Sequence, residues 1–287
     1  MTRVHFIGIG GSGLSAIARL LKENGYIVTG SDRALSQFAV DLQNDGVEIY
    51  IGHHPRNIAG ADLVIRSSAI ADDNPEVDAA KRAGIPVYKR ADFLGQLMAD
   101  KTGIAVAGTH GKTTTTAMIA WTLYAMGRDP SFIVGGTLNN LKVNAHAGKG
   151  DPFVIEADEY DHMFLGLKPR IEVVTNLEHD HPDCYPTFPD MFTAFKSFVD
   201  LLPADGTLIA CADDENAVSL LSHARRKGVN VVSYSLQSEM TINSPQWMQA
   251  RDKKVSSSSS GMNRIKFVGF ASSPEFLQVS CISAHQH

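Results

Sequence analysis

The run Gly108-Thr109-His110-Gly111-Lys112-Thr113-Thr114 narrows the folds open to this chain more than any other feature. It follows the apolar stretch Ile104 to Ala107 and precedes a helix-like segment, Ala117 to Met126. A strand, a glycine-rich turn and a helix in that order bring backbone N–H groups and a helix N-terminus to one point, which is an anion cradle. In such a cradle Lys112 is expected to reach the β/γ-phosphates of a nucleotide, and the Thr113 hydroxyl to hold Mg²⁺. Gly108, Thr109, His110, Gly111 and Thr114 complete the set expected around the phosphates. Lys112, as a point charge offered to phosphates, is not expected in the core. The loop departs from the longer G-x-x-x-x-G-K-[ST] pattern, because its first glycine would fall at Val106.

Around this loop the chain alternates strand and helix signals. Strands are expected at Val4 to Ile9, Tyr26 to Gly30, Glu48 to Ile51, Leu63 to Arg66 and Ile85 to Tyr88, with helices at Leu14 to Asn24 and Pro75 to Ala83. Alternation of this kind argues for a parallel sheet with helices on both faces. A polar stretch, 99–103, precedes the strand of the phosphate loop, and the boundary between two units is placed there. The second unit has strand candidates at Gly103 to Ala107, Phe153 to Glu156, Glu172 to Thr175, Thr207 to Cys211 and Val229 to Tyr234. Phe188, Phe192, Phe195, Val199 and Leu202 recur at three- and four-residue intervals, a helix stopped by Pro203. From Gln237 the character changes to alternating segments around the serine run 256–260, a small β region with a flexible loop. The fold class expected is therefore α/β. A Rossmann-like parallel-sheet unit (1–100) precedes a phosphate-loop α/β unit (101–287).

Bulk properties remove several functions. With 287 residues, two domains are a fair expectation, and a net charge of −5 gives no reason to expect nucleic acid or an anionic membrane as partner. No apolar run of about 18 residues is present, so no transmembrane helix is expected. The N-terminus enters a strand without a signal-peptide pattern. Cys184, Cys211 and Cys281 are too widely spaced for a disulfide framework or a zinc site. A cytoplasmic protein is expected.

Gly8-Ile9-Gly10-Gly11-Ser12-Gly13 fits G-x-G-x-x-G after a strand, and Asp32 lies 19 residues beyond Gly13. The glycines let a pyrophosphate approach a helix N-terminus, and the acid is poised for a ribose hydroxyl. Taken alone, the pattern is open to a nicotinamide site, another diphosphate ligand or a structural turn. A second phosphate loop only about 95 residues further on leaves little room for a dehydrogenase's catalytic domain.

Two acidic segments follow the phosphate loop. Glu156 ends the strand Phe153 to Glu156, at the sheet edge where ligands bind, and could complete Mg²⁺ coordination. The bland reading of Asp158, Glu159 and Asp161 beside it is a solvated charged loop. Thr175-Asn176-Leu177-Glu178-His179-Asp180-His181 also follows a strand, and His181 is a candidate metal ligand or proton donor. Asn176 is a further candidate catalytic group. Lys196 lies 15 residues past His181 and reads as a solvated lysine.

Together these motifs resemble the Mur ligase family of peptidoglycan synthesis. The run 108–115 resembles that family's phosphate loop, which also lacks the distal glycine. Glu156-Ala157-Asp158-Glu159 and Asp180-His181 resemble its metal-site motifs. Gly8 to Gly13, Gly30-Ser31-Asp32 and Ser67-Ser68-Ala69-Ile70 resemble the first domain of the family's alanine-adding branch, where they hold a UDP-sugar. The resemblance implies an ADP-forming ligase of cell-wall biogenesis that joins L-alanine to UDP-N-acetylmuramate through an acyl phosphate. It implies ATP and Mg²⁺, with the ion on Thr113, Glu156 and His181. It implies Lys112, Glu156, Asn176 and His181 as catalytic residues, and Gly10, Gly11, Ser12, Gly13, Asp32, Ser67 and Ser68 around the UDP-sugar. Family members carry a third domain for the incoming amino acid and a His-Asn segment that holds adenine. This chain is expected to stop before both and to show little alanine-dependent turnover alone. The alternatives are the branch that recycles a tripeptide onto the same UDP-sugar, a non-catalytic remnant that binds nucleotides, and a dinucleotide oxidoreductase.

Overall fold

A computed structural model describes residues 1–235. The serine run, the small β region and Cys281 lie outside the described residues.

The first half is β1 (Arg3–Ile7), α1 (Ser12–Glu23), β2 (Ile27–Asp32), α2 (Gln37–Asn44), β3 (Glu48–Ile51), β4 (Leu63–Arg66), α3 (Pro75–Arg82), β5 (Val87–Lys89) and α4 (Arg90–Leu97). Its five strands form a sheet in the order β3-β2-β1-β4-β5, every pair parallel. The sequence dictates much of this locally. Leu14, Ile17, Leu20 and Leu21 put an apolar stripe on one face of α1, and all four are buried. Ser36 caps α2 by accepting the Ala39 N–H. Asn74 caps α3, Pro75 opens it, acids occupy its first turn and Lys81 and Arg82 its last, matching the helix dipole. The chain lays β2 and β3 on one side of β1, then crosses to put β4 and β5 on the other. A crevice opens at that reversal, between the carboxyl ends of β1 and β4.

The second half is β6 (Thr102–Ala107), α5 (Lys112–Ala125), β7 (Ser131–Leu138), β8 (Val143–His146), β9 (Pro152–Glu156), β10 (Ile171–Val174), α6 (Phe188–Val199), β11 (Thr207–Cys211), α7 (Glu215–Arg226) and β12 (Asn230–Tyr234). The sheet order is β12-β11-β10-β6-β9-β7-β8. Central β6 therefore has β9 on one side and β10 on the other. The sheet is parallel except at its edge, where β7 and β8 form an antiparallel hairpin with a register irregularity between Ile133 and Leu138. That hairpin is not anticipated from the sequence, because Gly135-Gly136 interrupts the apolar pattern of β7. Helices α2, α4 and α7 are likewise absent from the sequence reading. The first two are only eight residues long, and strong periodicity needs longer runs.

The two halves share one apolar cluster, which runs from Phe6, Ile17 and Leu94 to Phe153, Phe164 and Phe198. Helix α1 also touches the β7–β8 hairpin. Asn144 Nδ2 donates to the Ser12 carbonyl at 3.3 Å, and the Ala147 N–H donates to Glu23 Oε2 at 2.6 Å. Helix α4 packs on a short 3₁₀ segment, Tyr160–Gly166.

Candidate functional site

The second glycine loop joins β6 to α5. Gly108 has φ +131° and Gly111, the residue before the helix, has φ +81°. A Cβ on Gly108 would lie 2.1 Å from Thr175 Oγ1, so neither the backbone angle nor the space admits a side chain. The loop is laced to the segment after β10. The Thr109 N–H donates to the Asn176 carbonyl at 3.0 Å, the His110 N–H to Asn176 Oδ1 at 2.9 Å, and Thr175 Oγ1 to the His110 carbonyl at 2.6 Å. Asn176 Nδ2 returns a bond to that same carbonyl at 3.1 Å. Both polar atoms of the Asn176 side chain therefore hold the loop backbone, a positioning part. His110, Gly111, Thr113 and Thr114 are exposed, which leaves the rim of the loop open to a ligand.

Lys112 is half-buried and outside the core, as expected, but it is already partnered. Its side chain is only 15 % exposed, and its Nζ donates to the carbonyls of Gly108 (2.7 Å) and Thr109 (3.3 Å) and to Glu159 Oε1 (2.8 Å). Glu159 is fully buried, so the solvated-loop reading does not hold for it. Burial raises its carboxyl pKa, and the Lys112 contact works in the opposite direction. Its Oε2 is buried without a hydrogen-bond partner.

The expected ion ligands fall into two groups beside Lys112. Thr113 Oγ1 donates to Glu156 Oε1 at 3.0 Å, and Glu156 Oε2 accepts the Gly135 N–H at 2.7 Å. His181 stands with other partners. Its Nε2 is 3.6 Å from Glu159 Oε1 and 3.7 Å from Asp180 Oδ2. Ligand atoms of Glu159, Asp180 and His181 all lie within 4.8 Å of one another. An orphaned buried carboxylate oxygen beside a second carboxylate and an imidazole fits a divalent cation. The sequence reading placed Glu159 and Asp180 inside its two acidic motifs without giving either a role at the ion, and the motifs were the signal for both. Lys196 lies apart from these groups, with its ammonium 4.7 Å from the centre of the Phe192 ring on the same helix.

The first glycine loop sits in the crevice between β1 and β4. Gly8 and Ile9 donate their N–H groups to the Ser31 carbonyl at 2.8 and 3.1 Å. Asp32, at the end of β2, accepts the Gly10 N–H at 2.8 Å, and Ser36 Oγ donates to the Gly10 carbonyl at 2.7 Å. Gly11 precedes α1, and Ser12 and Gly13 form its first turn. Ser67 and Ser68 follow β4, Ser67 half-buried and Ser68 exposed. Beneath lies a polar knot that sequence reasoning missed. Buried Glu76 accepts from Ser31 Oγ (2.6 Å), Asn57 Nδ2 (2.6 Å) and the His54 N–H (3.0 Å), and it stands 3.3 Å from His5 Nε2. Burial opposes the Glu76 charge, yet the bonds from His5, Ser31 and His54 outweigh it and hold the carboxyl below its ordinary pKa. The knot fixes Ser31, and with it the approach of Asp32 to the loop.

Residues 3–102 match the model of the "Mur ligase family, catalytic domain", and residues 106–282 match that of the "Mur ligase middle domain". A UDP-N-acetylmuramate–L-alanine ligase of Renibacterium salmoninarum is 50% identical over 232 residues, 81% of this chain and 50% of that protein. One from Legionella pneumophila is 44% identical over 248 residues, 86% of this chain and 52% of that protein. The chain thus spans about half the length of the curated relatives it matches. Among solved structures, the UDP-N-acetylmuramate–alanine ligase of Thermotoga maritima superposes with a TM-score of 0.73 at 30% identity, over 83% of this chain and 53% of the other. The UDP-N-acetylmuramate:L-alanyl-γ-D-glutamyl-meso-diaminopimelate ligase of Neisseria meningitides gives 0.75 at 28% identity, over 82% and 80%. Two family segments in sequence order, carrying two glycine loops on two sheets, lead to one conclusion: this chain belongs to the Mur ligase family.

Proposed function

We propose that this chain is the UDP-sugar-binding and ATP-binding part of a cytoplasmic UDP-N-acetylmuramate–L-alanine ligase. Residues 1–100 take the UDP-sugar and residues 101–287 take ATP. The observation that carries the reading is the second glycine loop, with Lys112 and the Thr113–Glu156 pair presented together at the carboxyl edge of β6 and β9. The names of relatives at 44–50% identity favour alanine over a tripeptide as the incoming group.

In this reaction a carboxylate oxygen of the sugar attacks the γ-phosphorus of ATP, the bond to the β,γ-bridging oxygen breaks, and ADP leaves. The amine of alanine then attacks the acyl carbon, loses a proton, and phosphate departs with the C–O bond. Negative charge spreads over the transferred phosphoryl group, and fixed positive charge and N–H donors stabilise it. Lys112 supplies a point charge at the loop, and the N–H groups of Gly111 to Thr114 face the same place. A Mg²⁺ ion, held by Thr113 and Glu156 with Glu159, Asp180 and His181 nearby, would supply the remaining counter-charge. Asn176 keeps the loop in shape. Asp32, Gly10 to Gly13, Ser67 and Ser68 orient the sugar nucleotide.

Isothermal titration of residues 1–287 with UDP-N-acetylmuramate, Mg-ATP and NADH tests the proposal. Saturable heats with the first two are expected. Saturable NADH binding with no response to UDP-N-acetylmuramate would refute it.

A further inference from the structure

We propose that Arg90 supplies the positive charge that holds the diphosphate of the sugar nucleotide on the first glycine loop. This rests on the reading above, in which that loop takes a diphosphate.

The loop needs such a charge and lacks its own. Residues 8–13 contain no lysine or arginine. One of the loop's N–H groups, that of Gly10, is already taken by the Asp32 carboxylate at 2.8 Å, which sets a negative charge where a diphosphate must lie. The N-terminus of α1 offers the equivalent of only about half a charge. A doubly charged group there calls for a cation close by.

Arg90 is that cation. It is the first residue of α4, yet its guanidinium rests against the first turn of α1. A Cβ built on Gly13 would lie 2.2 Å from Arg90 Cζ and 2.3 Å from Nη1. The space beside the last glycine of the loop, Gly13, is thus the space the guanidinium occupies. Arg90 Nε is buried and has no hydrogen-bond partner, and a buried donor left unmade marks a place for a ligand or water. Burial holds its pKa below the ordinary guanidinium value, and the negative charges of Asp158 and Glu156 oppose that in part. A planar guanidinium suits phosphate oxygens better than an ammonium does, because two parallel N–H groups bind at once. Arg90 therefore stands where the anion of the first glycine loop meets the acidic edge of the second.

The test uses residues 1–287 as wild type, Arg90→Met (which keeps an unbranched apolar stem) and Arg90→Lys. UDP binding is measured by calorimetry, and uridine binding by ligand-observed NMR. Arg90→Met is expected to weaken UDP about tenfold to a hundredfold, the range of a charge-assisted contact. Uridine, which lacks phosphate, should bind it as it binds the wild type. Arg90→Lys should fall between, and the salt dependence of UDP binding should flatten in Arg90→Met. Unchanged UDP affinity in Arg90→Met overturns the assignment. So does an equal loss for UDP and uridine, which a merely structural role would produce. Wild type binding neither ligand overturns the sugar-nucleotide reading, and this inference with it.

Discussion

Removing Lys112 should damage the fold as well as nucleotide binding. Its Nζ lies 2.8 Å from Glu159 Oε1, and the side chains are 15 % and 0 % exposed. Lys112→Met leaves the Glu159 carboxylate buried, with Oε2 already orphaned and Oε1 stripped of its ammonium. Breaking a buried pair from one side costs about 3–5 kcal/mol. The lower end is expected, because burial already raises the Glu159 pKa and protonation relieves part of the penalty. For a fold of this size each kcal/mol moves the melting temperature by roughly 2–4 °C, so Lys112→Met should melt about 6–12 °C lower. Lys112→Met/Glu159→Gln should recover much of this, because no unpaired charge remains. The two substitutions should couple by about 1–3 kcal/mol. Thermal and urea denaturation of the four proteins gives the cycle. A Lys112→Met protein that melts with the wild type, or a cycle with no coupling, would show that the pair does not carry this energy. The double variant is also the better test of phosphate binding, since it separates lost ATP affinity from lost stability.

Other outcomes follow from single positions. Glu172, in the middle of the second sheet, is fully buried with both carboxyl oxygens unpartnered, so Glu172→Met should stabilise the protein by about 1–3 kcal/mol at neutral pH. Burial pushes its folded pKa well above the ordinary carboxylate value, with Lys227 opposing and Asp200 adding. The folded state therefore binds this proton more tightly than the unfolded chain. Stability from this group is complete below the unfolded pKa of about 4.3 and is lost as pH rises through the folded pKa. The advantage of Glu172→Gln over wild type in urea denaturation should grow from about pH 4.3 upward; an advantage constant with pH refutes the account. Gly108→Ala should lose about 1–3 kcal/mol of stability and most Mg-ATP binding, because its Cβ would meet Thr175 Oγ1 at 2.1 Å and Asn176 O at 3.0 Å. Denaturation and calorimetry check it, and wild-type behaviour in both would contradict the loop geometry.

The sequence by itself located most of the strands, helices α1, α3 and α6, and the two glycine loops. Strands Glu48–Ile51, Leu63–Arg66 and Thr207–Cys211 are found with the bounds their apolar runs and flanking polar residues predict. Both glycine loops lie between a strand and a helix, since everything that shapes them is within a few residues of chain. The tertiary structure decided burial and partnership. It alone turned Glu159 from one acid of a charged run into the buried partner of Lys112, and grouped His181 with Glu159 and Asp180 while Thr113 faces Glu156. It alone seated Arg90 on Gly13, 77 residues away (90 minus 13), buried Glu172 in β10 within the influence of Lys227 and Asp200, and paired β7 with β8. The physical reason is range. Turn chemistry and periodicity act between neighbours in sequence. A charge's environment depends on which strands lie side by side, and here β6 lies between β9 and β10, segments that begin about 50 and about 69 residues further along the chain.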